Sequence, residues 1–180
     1  IMKKIKLNTC AFVLKINEHK DFKQYMLNYI MKQPSNPLVE LKDDITNTDW
    51  QHSFSNDRDY VTRFKNILNP YLLEVAEALY TKTFKITNMW YQQYAKNSTH
   101  QWHYHNQVNW SAVYFLELPN IECTTQIFDI PDDKIVYEKE IEEGDLFIFP
   151  ANILHRSPKN LTNDVKSIIS FNLDFDVVNI

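Results

Sequence analysis

Near residue 83 the spacing of apolar residues changes from the period of a helix to that of a strand, so the chain reads as helices followed by a β structure. Ahead of the switch, Phe22, Tyr25, Met26, Tyr29 and Ile30 follow the i, i+3, i+4, i+7 spacing of one buried helical face. Asp21 is placed to cap that helix, and Pro34 and Pro37 end it. Residues 57–80 repeat the pattern with Val61, Phe64, Ile67, Leu68, Leu72, Val75 and Leu79. Pro70, following Asn69, either opens a second helix or bends a single long one, and the spacing fits both. Beyond the switch come short aromatic and β-branched runs: FKITNMWYQQYA, THQWHYHN, SAVYFLEL, TTQIFDI, KIVYEKEI, DLFIFP and VKSIISFNLDF. Turn signals part them at intervals of roughly 8 to 12 residues, the pattern of a sandwich or barrel. The opening IMKKIKLNTCAFVLKI has a basic start, but Asn8, Thr9 and Lys15 interrupt its apolar run, so it reads as a first strand rather than a signal peptide. The expected fold is mainly β with N-terminal helices, an α+β chain. It forms one domain over 1–180, with 1–82 as helical support and 83–180 as the β core.

Composition narrows the function. With 180 residues, 44% hydrophobic and 14% aromatic, the chain has enough apolar surface for one sizeable core. Charged residues make up 23%, are mixed in sign along the chain and sum to −4, so no basic face marks a nucleic-acid or anionic-membrane partner. No run reaches the roughly 18 apolar residues of a membrane span, and a soluble, cytoplasmic protein is expected. Cys10 and Cys123 read as reduced thiols packed in apolar strands, and the sequons at Asn97, Asn109 and Asn160 as chance. Gly144 is the only glycine, which closes the Gly-rich phosphate-loop and dinucleotide-fingerprint readings. No Ser-His-Asp or Cys-His constellation stands out.

The chemistry-bearing residues are histidines. In 101-QWHYHNQVNWSAVYFLEL-118, side chains at i and i+2 of a strand share a face, so His103 and His105 point together while Trp102 and Tyr104 face away. Two imidazoles so placed suit a metal, although a polar pair on a solvent-facing strand fits the same spacing. A third histidine follows in 142-EEGDLFIFPANILHRSP-158. There Pro150 ends an apolar strand, and the short ANIL loop returns the chain so that His155 can lie beside the pair.

The order of a Trp–Tyr segment, then H-x-H, S-x-V-Y-F-L, G-D-L-x-x-F-P-x-x-x-x-H and K-S-I-I-S-F-N resembles the iron- and 2-oxoglutarate-dependent oxygenases. More narrowly, it is similar to the small 2OG-Fe(II) oxygenases of bacteria and marine phages. The likeness covers about residues 84 to 175 and is strongest in GDLFIFP…H, with Trp50-Gln51 fitting loosely. It implies a double-stranded β-helix, a cupin-like jelly roll, with Fe(II) near its open end. It also implies 2-oxoglutarate and dioxygen as cosubstrates and hydroxylation of a small-molecule or peptidyl substrate. On this likeness His103 matches the first metal ligand and His155 the distal one. His105 stands where most of the superfamily has a carboxylate, which departs from the usual two-histidine, one-carboxylate triad. Three readings of His105 remain: an iron ligand, a weak ligand with a carboxylate arriving from elsewhere, or part of a three-histidine zinc site. Lys166 takes the place of the cation, more often arginine, that grips the far carboxylate of 2-oxoglutarate, and Tyr94 the place of a hydroxyl on the same carboxylate. By residue type alone Lys166 is a solvated lysine at a strand start and Tyr94 is core packing.

Alternation puts Lys166, Ile168, Ser170 and Asn172 on one face. Arg156 is expected to point away from His155 to a salt bridge at the rim, and Asn109, Ser111 and Tyr114 to line the cleft. Two rival functions fit the same residues: a three-histidine cupin-like iron dioxygenase that does not use 2-oxoglutarate, and a non-catalytic jelly-roll binding module. An exposed strand edge would favour a homodimer.

Overall fold

The computed structural model describes residues 9–40, 43–129, 134–136 and 140–176. Twelve strands and two helices are described. In chain order they are β1 (Phe12–Lys15), α1 (His19–Met31), β2 (Leu38–Glu40), β3 (Asp43–Ile45), β4 (Asn47–Thr48), α2 (Asp59–Ala78) and β5 (Phe84–Tyr94). Then come β6 (His100–His103), β7 (Trp110–Glu117), β8 (Gln126–Asp129), β9 (Lys134–Val136), β10 (Asp145–Pro150), β11 (His155–Ser157) and β12 (Lys166–Phe175). A large sheet runs β1-β10-β7-β12-β5-β4, a smaller one β6-β11-β8-β9, and β2-β3 is a separate two-stranded sheet. All of the pairings are antiparallel.

Both faces of the large sheet are covered, so its central strands are apolar almost without interruption. Alternation sends Met89, Tyr91, Ala112, Tyr114, Leu116, Leu146, Ile148, Ile169, Phe171 and Leu173 to one side. There they meet Phe22, Met26 and Ile30 of α1 and Tyr60, Phe64, Leu68 and Leu72 of α2. Phe64 is the hub: it stacks on Phe22 with ring centroids 4.5 Å apart and packs on Tyr114 at 4.8 Å. Phe64→Ala would cost about 3–5 kcal/mol, through lost transfer energy and the cavity left behind. The other side carries Tyr94, Val113, Phe115, Phe147, Phe149 and Ile168, packed with Ile45 and with Ile127 of the smaller sheet. The candidate site lies between the two sheets.

Several local readings are corrected. α1 begins at His19, so Asp21 sits in its first turn, where it favours the helix dipole, and caps nothing. Pro70 lies inside one continuous α2. It faces solvent, as does Asn66, so the carbonyl that the ring displaces can be hydrated. The first eighty residues supply strands as well as helices: β1 pairs with β10, and β4 with β5. The first-strand reading of the opening holds for Phe12–Lys15, while residues 1–8 lie outside the described part, as does most of 129-DIPDDK-134. Both cysteines are free thiols, but neither is in a strand: Cys10 is exposed, and Cys123 is buried in a 3-10 turn at Ile121–Cys123. Among the described residues no helix is long and apolar enough to cross a membrane.

Two details position the site. Gly144 has φ +89°, and an added Cβ would stand 2.8 Å from His19 Cγ, so only glycine fits the turn before β10. Asp49, ahead of α2, bonds the Arg58 guanidinium and accepts from Tyr60 OH (2.8 Å) and Tyr91 N (2.8 Å), while Arg58 also donates to Met89 O (2.8 Å). This buried network fastens the Asp49–Arg58 loop, and with it Trp50, to β5.

Candidate metal centre

β11 lies beside β6 with His155 directly opposite His103. β6 ends at His103, but the chain continues close to β10 because His105 N donates to Ala151 O (2.8 Å), so His105 still turns to the same side. One ligand atom from each of His103, His105 and His155 lies within 4.8 Å of the other two, and no carboxylate joins the group among the described residues. The rings are 4.2 Å (His103–His155), 5.2 Å (His105–His155) and 5.4 Å (His103–His105) apart, centroid to centroid.

Each ring is held through Nδ1. His103 Nδ1 is 2.7 Å from Gln101 O, His155 Nδ1 2.8 Å from Ile153 O, and His105 Nδ1 2.6 Å from Asn172 Oδ1. A carbonyl oxygen can only accept, so the proton sits on Nδ1 and the lone pair of each Nε2 is free for a metal. Ser111 reinforces the third contact, with its hydroxyl 2.8 Å from His105 Nδ1 and donating to Asn172 Oδ1 at 3.0 Å. Burial lowers the pKa of all three rings, and the neighbouring imidazoles lower those of His103 and His155 further, so the rings are neutral at pH 7. His100 stacks on His103 at 3.9 Å and is pushed down to about 3, mainly by burial. Asp43 is the carboxylate felt at His103, but it is spent elsewhere: Oδ1 accepts from Gln101 N (2.7 Å), and Oδ2 is 3.7 Å from His100 Nε2.

The histidines open into a small pocket with a cavity volume of about 30 Å³, also lined by Trp90, Gln92, Tyr94, Ser111, Phe149, Ser157 and Ser170. Behind the lining residues Tyr94 and Ser157, Lys166 pairs with Tyr94 across β12 and β5. Lys166 is fully buried, not solvated. Its ammonium donates to Ser157 Oγ (2.7 Å) and lies 5.2 Å from the Tyr94 ring centroid. The buried Tyr94 hydroxyl has no hydrogen-bond partner. Burial pushes the lysine down to about 7.

Of the other expected residues, Ser111 lines the pocket and Asn172 turns toward it through His105, on the face shared with Ile168 and Ser170. Tyr114 faces the helices and bonds His19 Nδ1 (2.6 Å), and Asn109 is exposed, so neither lines the cleft. Arg156, expected to point away to a salt bridge, is among the residues lining the pocket, and its guanidinium bonds Gln126 Oε1 (2.8 Å) and lies over the face of Trp102 (4.5 Å). Trp90 and Ser157 were missed. The parity of β5 could have found Trp90, since it shares a face with Tyr94.

No protein-family model matches the sequence, and no curated protein matches it. Solved structures do. A prolyl-4-hydroxylase from Pseudomonas putida superposes with a TM-score of 0.66 at 12% identity, over 91% of this chain and 92% of that one. A 2OG-Fe(II) oxygenase family protein from Burkholderia pseudomallei gives 0.67 at 10%, covering 91% and 84%. The viral collagen prolyl hydroxylase of Paramecium Bursaria Chlorella virus-1 gives 0.59 at 8%, covering 91% and 94%. The chain has the fold of these proteins.

Proposed function

We propose that the chain is a non-haem Fe(II)- and 2-oxoglutarate-dependent dioxygenase that hydroxylates its substrate, built as one folding unit on a double-stranded β-helix. The observation that carries this reading is the company of the three histidines. Tyr94, which lines the same pocket, has a buried hydroxyl with no hydrogen-bond partner, and directly behind the lining residues Tyr94 and Ser157 is a fully buried ammonium with a single hydrogen bond. A buried cation that lacks a counter-ion is costly, and a carboxylate arriving from a ligand would satisfy both Lys166 and Tyr94. The likeness to the 2OG-Fe(II) oxygenase family protein and to the viral collagen prolyl hydroxylase, the latter solved as a 2OG complex, supports the same reading.

The donor set fits iron. Three neutral imidazoles with their Nδ1 protons held by oxygen acceptors would offer three Nε2 nitrogens to a metal, and imidazole suits iron. With the metal bound, 2-oxoglutarate and dioxygen supply the oxidation: one oxygen atom goes to succinate as carbon dioxide leaves, and the other enters a substrate C–H bond. The chain binds and orients. Lys166 and Tyr94 hold the far carboxylate, and Ser157 fixes the lysine. Asn172 and Ser111 keep His105 aimed at the metal. Phe149, with its ring 4.8 Å from that of His155, helps keep water from the floor of the pocket. Lysine is a point charge without the bidentate fork of arginine, so Tyr94 is needed to fix the carboxylate's direction.

The test is an anaerobic titration with Fe(II) and then 2-oxoglutarate, watching the visible charge-transfer band of the chelate. A band that is lost in His103→Ala and weakened in Lys166→Ala supports the reading. Iron binding with no band would favour a three-histidine dioxygenase that does not use 2-oxoglutarate, and no metal binding would leave a binding module.

A further inference from the structure

At the end of the pocket away from Lys166, β5 turns Trp90 inward. Its side chain is only 4% exposed, it lines the pocket, and its indole ring is 6.4 Å from that of His105. The indole Nε1 is buried with no hydrogen-bond partner. A buried donor left unpaired costs about 1–3 kcal/mol, and β5 lies second from the edge of the sheet, with the short β4 beside it only at Gln92 and Gln93. Trp50 stands edge-on to it at 4.5 Å and is 42% exposed, so the pair forms an aromatic corner running from the metal ligands to the surface. Two residues earlier on the same face of β5, Asn88 Oδ1 is likewise buried and unpartnered. One neutral donor and one neutral acceptor therefore come from positions roughly 7 Å apart along one strand face, Trp90 in the pocket lining and Asn88 just beyond it.

The charges nearby are already committed. Asp49 is held by Arg58, Tyr60 and Tyr91 N, Asp43 by Gln101 N and His100, and Arg156 lies against Gln126 and Trp102. The remaining buried cation, Lys166, is at the opposite end. A carboxylate or ammonium brought to the Trp90 end would be desolvated without a partner, whereas an amide would not.

We propose that Trp90 and Asn88 form the substrate subsite and that it takes uncharged amides: the Trp90 indole N–H donates to an amide carbonyl, Asn88 Oδ1 accepts an amide N–H, and the Trp50–Trp90 corner packs on the attached apolar group. This rests on the dioxygenase reading and narrows it. The substrate is a residue within a peptide, or a neutral amide of similar shape, and not a free amino acid or an organic acid.

The test reads the indole proton itself. The full chain is labelled with ¹⁵N, loaded with redox-inert Zn(II) and 2-oxoglutarate, and its Trp90 Nε1–H resonance is assigned by its loss in Trp90→Phe. The probes are N-acetyl amino acid N-methylamides, N-methylacetamide and the free amino acids. The expected result is a saturable downfield shift of the Trp90 resonance with blocked amino acids and none with free ones. N-methylacetamide giving a weaker shift points to peptides as the source, and an equal shift points to small amides. By calorimetry, Trp90→Phe, which keeps the aromatic corner, is expected to weaken the best probe about fivefold to tenfold, the worth of one hydrogen bond. A resonance unmoved by every blocked probe, or moved as strongly by free amino acids, overturns the proposal. The Fe(II)–2-oxoglutarate band is measured separately. A band without the indole shift sinks the subsite alone, and an indole shift without the band keeps the amide site and sinks the dioxygenase reading.

Discussion

Replacing Lys166 by methionine separates what the residue does for stability from what it does for binding. The side chain is fully buried, its ammonium makes one hydrogen bond to Ser157, and the groups facing it, Tyr94, Phe115, Cys123 and His100, carry no charge at neutral pH. Burial takes its pKa from 10.5 to about 7. At 1.36 kcal/mol for each tenfold change, keeping that ammonium charged costs the folded protein about 4–5 kcal/mol. The unfolded chain keeps the proton up to about pH 10.5 and the folded chain releases it near 7, so between these values the folded state binds fewer protons. Stability contributed by this group therefore rises with pH across that window, and below it the full penalty applies. Methionine has similar length and no charge. Lys166→Met is expected to be more stable than the parent at pH 7 by a few kcal/mol, to lose the rise in stability toward pH 10, and to lose 2-oxoglutarate binding. Urea unfolding of both proteins at pH 7 and 9.5, with a cosubstrate titration alongside, measures all three. A variant less stable at pH 7, or one with an undiminished pH slope, would refute the reasoning.

Asn172→Ala removes no ligand but frees His105 to turn, so metal affinity should fall about 10–100-fold, measured by competition with a chelating dye. The described lining of the pocket includes no carboxylate, so metal and 2-oxoglutarate should each tighten the other by about 5–150-fold in paired calorimetric titrations. Equal affinities with and without the partner would show that the charges do not communicate. Gly144→Ala should cost about 1–3 kcal/mol in thermal or urea unfolding, because its backbone is left-handed and the new Cβ meets the His19 ring.

How far the sequence could be read depended on whether a property is local. Strand parity needs only the chain itself, and it put His103 with His105 and Lys166 with Ile168, Ser170 and Asn172 on common faces. The same parity argues against Tyr114, because Ser111 and Tyr114 are three residues apart on one strand and must face opposite sides. Strands β2, β3 and β4 are two or three residues long, too short for any alternation to register, so a helical front end concealed them. The meeting of His155 with His103 and of Lys166 with Tyr94 depends on register between distant strands, which no local pattern carries. Only the resemblance to a known family supplied those pairings in advance. The orphaned indole of Trp90 lay beyond both routes, because the lack of a partner belongs to the packed structure.

The placement of the three histidines would give a bound metal a structural role as well as a chemical one. His103 and His155 come from adjacent strands of the smaller sheet, each held by a carbonyl of its own segment. His105 lies past the end of β6 and is oriented from the large sheet, by Asn172 of β12 and Ser111 of β7. A metal bound by all three therefore ties the two sheets together at one end of the sandwich. Lys166 of β12 and Ser157 of β11 join them at the other end through a single hydrogen bond. The ligand proposed here would run between these two ties, with one carboxylate on the lysine and its other end on the metal. On this arrangement, ordering of the sheets, metal affinity and cosubstrate affinity draw on the same contacts, which is why a mutation in Asn172 should reach 2-oxoglutarate binding even though it touches neither the metal nor Lys166.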